Sequence, residues 1–221
     1  RRQRQMCIRD SPESQMVAVT VRAGSKAEMA LPDGTFVHLN AATNLEYDVN
    51  NSKQRLVKLS GEAFFDVAKN PDCPFKVIIN DLQIEVVGTS FNVKTYKKDI
   101  VETSLLSGRI RISGGSLPHE YTLSPGQKAT YSAMDRTLRI SKADAHVEAG
   151  WRDNYLIFES TPLIDVIAQI ERWYGVEIRL HHKQIAQDLL SGSFRNESIQ
   201  NVIRSCLLYT SPSPRDRSLS R

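Results

Sequence analysis

Short runs of alternating apolar and polar residues fill the chain from Val17 to about Ile140. VAVTVR, KAEMAL, TFVHLN, RLVKLS, EAFFDV, FKVIIN, LQIEVV, SFNVKT, RIRI, QKATYS and TLRI recur at roughly the 8 to 12 residue spacing of an all-β domain, whose strands turn every second side chain to a core. Turn residues punctuate the runs: Pro32-Asp33-Gly34, Asn50-Asn51, Gly61, Asn70-Pro71, Gly88, Gly108, Gly114-Gly115 and Pro125-Gly126. FKVII and LQIEVV are nearly continuous, which predicts strands covered on both faces and favours stacked or wrapped sheets over an open meander. The pattern predicts a mainly β body of antiparallel strands, sandwich-like or a β-solenoid.

Near Trp151 the period changes. Tyr155, Leu156, Ile157 and Phe158 read as a strand, and Thr161-Pro162 as a helix start, a capping hydroxyl before a residue that tolerates a missing N–H. Leu163, Val166, Ile167, Ile170 and Tyr174 share one helical face, and Gly175 supplies a stop. Val176, Glu177, Ile178, Arg179 and Leu180 read as a second strand. The same order restarts at Gly192-Ser193-Phe194 with an Asn196-capped helix through Ile199, Val202 and Ile203, interrupted at Cys206. A small, truncated α+β (βαβ) module therefore follows the β body, with the boundary near Val147 to Trp151.

Charge and cysteine content sit at the ends. The 221 residues carry 29 Lys plus Arg against 25 Asp plus Glu, a net +4, and three Cys. Residues 1–10 contribute +3 and 206–221 contribute +2, which leaves 11–205 at −1. Codons that spell 6–10, read from the opposite strand in a shifted frame, spell 206–210. Both strings resemble translations of a transposon-end sequencing adapter, so 1–11 and 206–221 are read as adapter-derived and set aside from the fold. The organisation is then 12–147 for the β body and 148–205 for the module. Cys73 remains as the one native cysteine, which rules out a native intrachain disulfide.

Chemistry-bearing patterns are sparse. His181 and His182 are adjacent on an expected strand end and so point to opposite faces, which does not suit a shared metal. His38 alternates with Phe36 as a strand residue, and His119 and His146 fall in loops. Glu62 and Asp66 share a strand face about 13 Å apart, too far for a cooperating acid and base. Phosphate loops, nucleophile elbows and paired-Cys motifs do not occur. Lys97-Lys98 and the Arg109, Arg111 pair do not amount to a phosphate-tracking surface on a body of net −1, so nucleic acid is not an expected partner. Neither a cofactor nor a metal is called for.

LPDGTFVHLNAATNLEYDV (31–49), VKLSGEAFFDVAKNPDCPFKVIIN (57–80), VVGTSFNVKTY (86–96), LLSGRIRI (105–112) and LSPGQKATY (123–131) resemble, in order, the periplasmic domain of FecR-like anti-sigma regulators. WRDNYLIFESTPLIDVIAQIERWYGVEI (151–178) is similar to the C-terminal module of the same proteins, itself STN-like, after the signalling domain of TonB-dependent outer-membrane transducers. In physical terms Asp33-Gly34 suits a hairpin turn, and Phe64, Phe65, Phe75 and Phe91 can fill a core.

The resemblance implies a single-pass inner-membrane parent. Its periplasmic part senses a loaded transducer, and its cytoplasmic segment, absent here together with the membrane helix, holds an extracytoplasmic-function (ECF) sigma factor and so controls transcription. It places partner binding on the module, with Tyr155–Phe158 or Val176–Leu180 as the exposed strand edge. It also implies one covalent possibility, because some relatives cut themselves at a Gly-Thr bond by attack of the Thr hydroxyl on the preceding carbonyl. Gly88-Thr89 is the corresponding pair, against a plain bend or bulge. A β-rich ligand-binding, glycan-binding or adhesion module is the alternative, and it calls for exposed aromatic platforms. An enzyme with a convergent polar pocket is the least favoured class.

Overall fold

The computed structural model describes residues 15–49, 55–181 and 183–210. The adapter-like segment 1–11, the Asn50-Asn51 turn, His182 and residues 211–221 lie outside the described residues.

In chain order the strands of the body are β1 (Met16–Val21), β2 (Ala27–Ala30), β3 (Phe36–Leu39), β4 (Thr43–Asp48), β5 (Arg55–Ser60), β6 (Glu62–Asp66) and β7 (Phe75–Ile79). They continue as β8 (Leu82–Val86), β9 (Ser90–Lys94), β10 (Ile100–Ser107), β11 (Ile110–Gly114), β12 (Tyr121–Leu123), β13 (Gln127–Ser132) and β14 (Thr137–Lys142). The chain winds between two seven-stranded sheets, ordered β1-β4-β5-β7-β8-β11-β12 and β14-β13-β10-β9-β6-β3-β2. Pairing is antiparallel except between β5 and β7, which run parallel. The fold is mainly β, and its winding route unites the sandwich and wrapped descriptions.

Alternation explains the layers. Leu39, Leu45, Val57, Val77, Ile84, Val93 and Ile110 meet between the sheets as one core. At its centre the Phe65 ring lies 5.2 Å from Phe91 and 5.8 Å from Phe75, centroid to centroid. Phe64 points to the opposite face of its sheet. There it packs against Ala149 and Trp151, with the Arg152 guanidinium 3.7 Å above its ring. A short helix, α1 (Ala145–Ala149), and a 3-10 turn (Gly150–Asp153) carry these residues and lead out of the body.

The module consists of β15 (Tyr155–Pro162), α2 (Leu163–Tyr174), a 3-10 turn (Lys183–Gln187), β16 (Leu189–Arg195) and α3 (Ile199–Thr210). Four details differ from the sequence reading. Residues 176–180 form no strand, and β15 pairs antiparallel with β16 instead. Their V-E-I-R-L alternation arises because Ile178 and Leu180 pack on the module core while the residues between face water. Pro162 rather than Thr161 occupies the helix cap, and the Thr161 hydroxyl instead donates to the Glu159 carbonyl. Asn196, at φ 52°, does not cap α3; that role falls to Ser198, whose Oγ accepts from Asn201 N. Finally, α3 is not interrupted at Cys206. Its side chain falls on the face of Ile199 and Val202 and is buried with them.

Candidate partner-binding site

The two-stranded sheet of the module is covered by helices on one face only. Leu156, Phe158 and Leu190 point to α2 and α3, where Val166, Ile170 and Val202 close a small core. Tyr155 and Ile157 point the other way, into a cleft of about 650 Å³ between the module and strands β9, β10 and β13. Of the four β15 residues nominated from sequence, two are thus core side chains and two face the body.

The open edge belongs to β16, which the sequence reading did not nominate. Asn196 N donates to Asn154 O at the start of the sheet. With the register 156/194 and 158/192, this turns the backbone groups of Ser193 and Arg195 away from β15. Both residues are exposed, and among the described residues no second strand pairs with β16. On β15, Glu159 and Ser160 bulge opposite Ser191. Ser160 sits at φ 43° with its N–H bound to Ser191 Oγ at 2.8 Å, a distortion that disfavours further pairing there. The other nominated segment is tied down locally: Glu171 Oε1 accepts from Ile178 N at 2.7 Å, and Glu177 pairs with Arg179 at 3.1 Å.

Charges in the cleft are satisfied pairwise. Lys97 reaches across it to Asp165 at 2.7 Å, and Lys128 bridges Glu102 at 3.1 Å and Glu148 at 2.8 Å. Burial alone would raise the Glu102 carboxyl, but Lys94 and Lys128 outweigh it and hold the group below its ordinary value. Lys128 shows the mirror case, raised by Glu102 and Glu148 in spite of burial. At the cleft floor, buried Glu62 accepts from Asn40 Nδ2 at 2.7 Å and Asn92 Nδ2 at 3.0 Å, and Trp151 Nε1 donates to Asn92 Oδ1 at 3.2 Å. Tyr96 donates its hydroxyl to the Ala41 carbonyl, and burial, reinforced by Glu62, raises its pKa. Among the described residues no buried side-chain nitrogen or oxygen lacks a partner, and no cluster of three His, Cys, Asp or Glu side chains is arranged for a metal. These pairs and hydrogen bonds tie the module to the body across the cleft.

Aromatic faces near the cleft are also occupied. Arg172 lies 4.1 Å over Tyr96, Lys26 lies 3.7 Å over Trp173, and Arg195 lies 4.8 Å over Tyr155. Trp151 is buried and Tyr96, Tyr155 and Trp173 are half-buried, so the rings around the cleft do not form the open stacking platform that a glycan reading requires; Phe36 on β3 is an exposed aromatic ring.

At Gly88-Thr89 the backbone bends between β8 and β9, and Thr89 is buried. Its hydroxyl donates to the Arg109 carbonyl at 3.1 Å and accepts from Arg109 N at 3.4 Å. A β-carbon on Gly88 would lie 2.8 Å from Lys69 Cα, so close packing accounts for the glycine.

The family model for FecR protein matches residues 17–111, and that for the FecR C-terminal region matches 155–205. Two crystal structures of a proposed anti-sigma factor from Parabacteroides distasonis are similar over nearly the whole chain. Both are 31% identical, with TM-scores of 0.81 and 0.80, covering 89% and 88% of this chain and 92% of theirs. The chain belongs to the FecR family of anti-sigma factors. Nothing among curated proteins matches it.

In this FecR-family chain the matched segments correspond to β1 through the start of β11 and to the module. The stretch between them holds β12 to β14, α1 and the turn with Trp151, which contribute Lys128 and Glu148 to the cleft. Among the described residues no helix is long and apolar enough to cross a membrane. Sequence reasoning missed the β16 edge, the Glu62 network, and buried Arg55, which bonds Asp33, Ala68 O and Cys73 O. Arg55 and Glu62 did leave a trace, as charged residues at the first position of a strand run.

Proposed function

We propose that this chain is the periplasmic signal-receiving part of a FecR-family anti-sigma factor. It reads the state of a TonB-dependent outer-membrane transducer and relays it to an ECF sigma factor held by a cytoplasmic segment outside these residues. The observation that carries the reading is a FecR body joined to a module whose β16 edge is open while its other face rests on the body. An open edge recruits an extended partner strand through main-chain hydrogen bonds, and neighbouring side chains set specificity. In this reading the chain performs no chemistry, and its output is a binding equilibrium passed along the molecule.

Co-purification with the signalling domain of a transducer encoded beside the gene tests it. Binding by the wild type and its loss in Ser193→Pro, which removes an outward N–H from β16, is the expected result. Failure of every neighbouring transducer to bind the folded wild type would overturn the reading.

A further inference from the structure

The turn joining β1 to β2 grips the module at three places. Gly24 N donates to the Arg172 carbonyl at 2.8 Å, near the end of α2. Gly24 and Gly175, at φ 76° and 68°, pack backbone against backbone. A β-carbon on Gly24 would sit 3.3 Å from Gly175 N and Tyr174 O, and one on Gly175 would sit 3.2 Å from Ala23 O. Two residues further, Lys26 Nζ donates to Trp151 O at 2.6 Å and to Asn154 Oδ1 at 3.0 Å while lying over the Trp173 ring. One turn therefore touches the connector, the residue just before β15 and the last turns of α2.

The strands flanking this turn are weakly held. Among the described residues β1 is the edge of one sheet and pairs only with β4, and β2 is the edge of the other and pairs only with β3. Edge strands with one ladder each open at the low end of the stability range. The chain also passes from one sheet to the other at this turn, so both strands lean on the same extra anchor.

We propose that residues 22–26 form a latch that couples the position of the module to the order of β1 and β2. With the latch closed, the module is seated on the body and both edge strands are pinned. When a docked partner draws the module away, Gly24, Gly175 and Lys26 part, and β1 and β2 lose their shared anchor together. By reciprocity, anything that frays β1 or β2 also loosens the module. The proposal rests on the signal-receiving reading for its purpose, but the latch itself is testable without a partner.

Hydrogen–deuterium exchange on the 221-residue chain reads it directly. Trp173→Leu removes the ring under Lys26 from the module side, where that ring also packs on Phe64, Ala149 and Trp151, and Gly24→Ala forces a β-carbon into the Gly175 contact from the body side. Both are expected to speed exchange of the amides of 16–21 and 27–30 roughly tenfold, the size of effect carried by losing about one hydrogen bond with its packing. Amides of β7 and β8, deep in the same body, should exchange as in wild type. If Trp173→Leu loosens α2 while 16–21 and 27–30 exchange at the wild-type rate, the latch is overturned, and so it is if β7 and β8 speed up equally. A failed transducer pull-down leaves this result standing, which separates the two ideas.

Discussion

Arg55 Nη1 lies 3.1 Å from Asp33 Oδ2 in a pair almost wholly withdrawn from water. The same guanidinium donates to Ala68 O at 2.7 Å and, through Nε, to Cys73 O at 2.7 Å, so it ties the Asp33-Gly34 turn to the loop before β7. Removing it takes the cation from a mostly buried carboxylate, which keeps the Thr35 N–H and hydroxyl as donors, and takes a charged donor from two carbonyls. Arg55→Met is expected to cost about 3 kcal/mol or more, measured as the shift in urea unfolding. Arg55→Lys should recover only part of the loss, since an ammonium cannot reproduce the planar fork. Equal stability of Arg55→Met and wild type would refute this account.

Glu62 makes a sharper prediction because both its oxygens accept from amide groups, Asn40 on one side and Asn92 on the other. Glu62→Gln is nearly isosteric, yet it sets an N–H₂ group against another donor. The expected cost is about 2 kcal/mol, with a change in the emission of Trp151, whose indole N–H is bonded to Asn92. Glu62→Gln with unaltered stability and emission would show that the carboxylate is not the hub of this network.

Gly88-Thr89 is expected to stay whole. The Thr89 hydroxyl proton is directed at the Arg109 carbonyl, which is no base, and the hydroxyl serves to tie the β8–β9 bend to the start of β11. Intact-mass measurement over days should show one chain, and Thr89→Val should cost about 1–2 kcal/mol through two lost hydrogen bonds. Fragments meeting between residues 88 and 89 would overturn the expectation.

These features differ in how far the sequence announces them. Alternation located eleven body strands, because most of them turn one face to the inter-sheet core. It passed over β4, where Thr43 and Asn44 dilute the apolar signal, and β12, only three residues long. In β10, Thr103 and Ser104 are both buried, so the strand is covered on two faces and the period disappears. Residues 176–180 erred the other way: their period was real, but it recorded half-burial against a core rather than pairing. The β16 edge and the latch depend on contacts that no period encodes; Lys26 and Trp151 are 125 residues apart.

Lys26 supplies a pH test of the latch residues. Its stem is exposed, but Nζ is enclosed by Trp173, the Trp151 carbonyl and Asn154, and this burial pulls its pKa from 10.5 to about 8, with Glu62 opposing part of the shift. Between those two values the unfolded chain still carries the proton and the folded chain has released it. The unfolded state then binds more protons, so the Lys26 contribution to stability should rise as pH increases from about 8 toward 10.5 and be flat below. A neutral amine keeps two N–H donors, enough for the Trp151 and Asn154 acceptors, so the contact survives the loss of charge. Acylation of Lys26 with a limiting amine reagent, followed by peptide mass spectrometry, should reach half its maximal rate near the lowered value. In Trp173→Leu the midpoint should move back toward 10.5. An ordinary lysine midpoint in the wild type would mean that Nζ is solvated and that the turn does not hold the module as described.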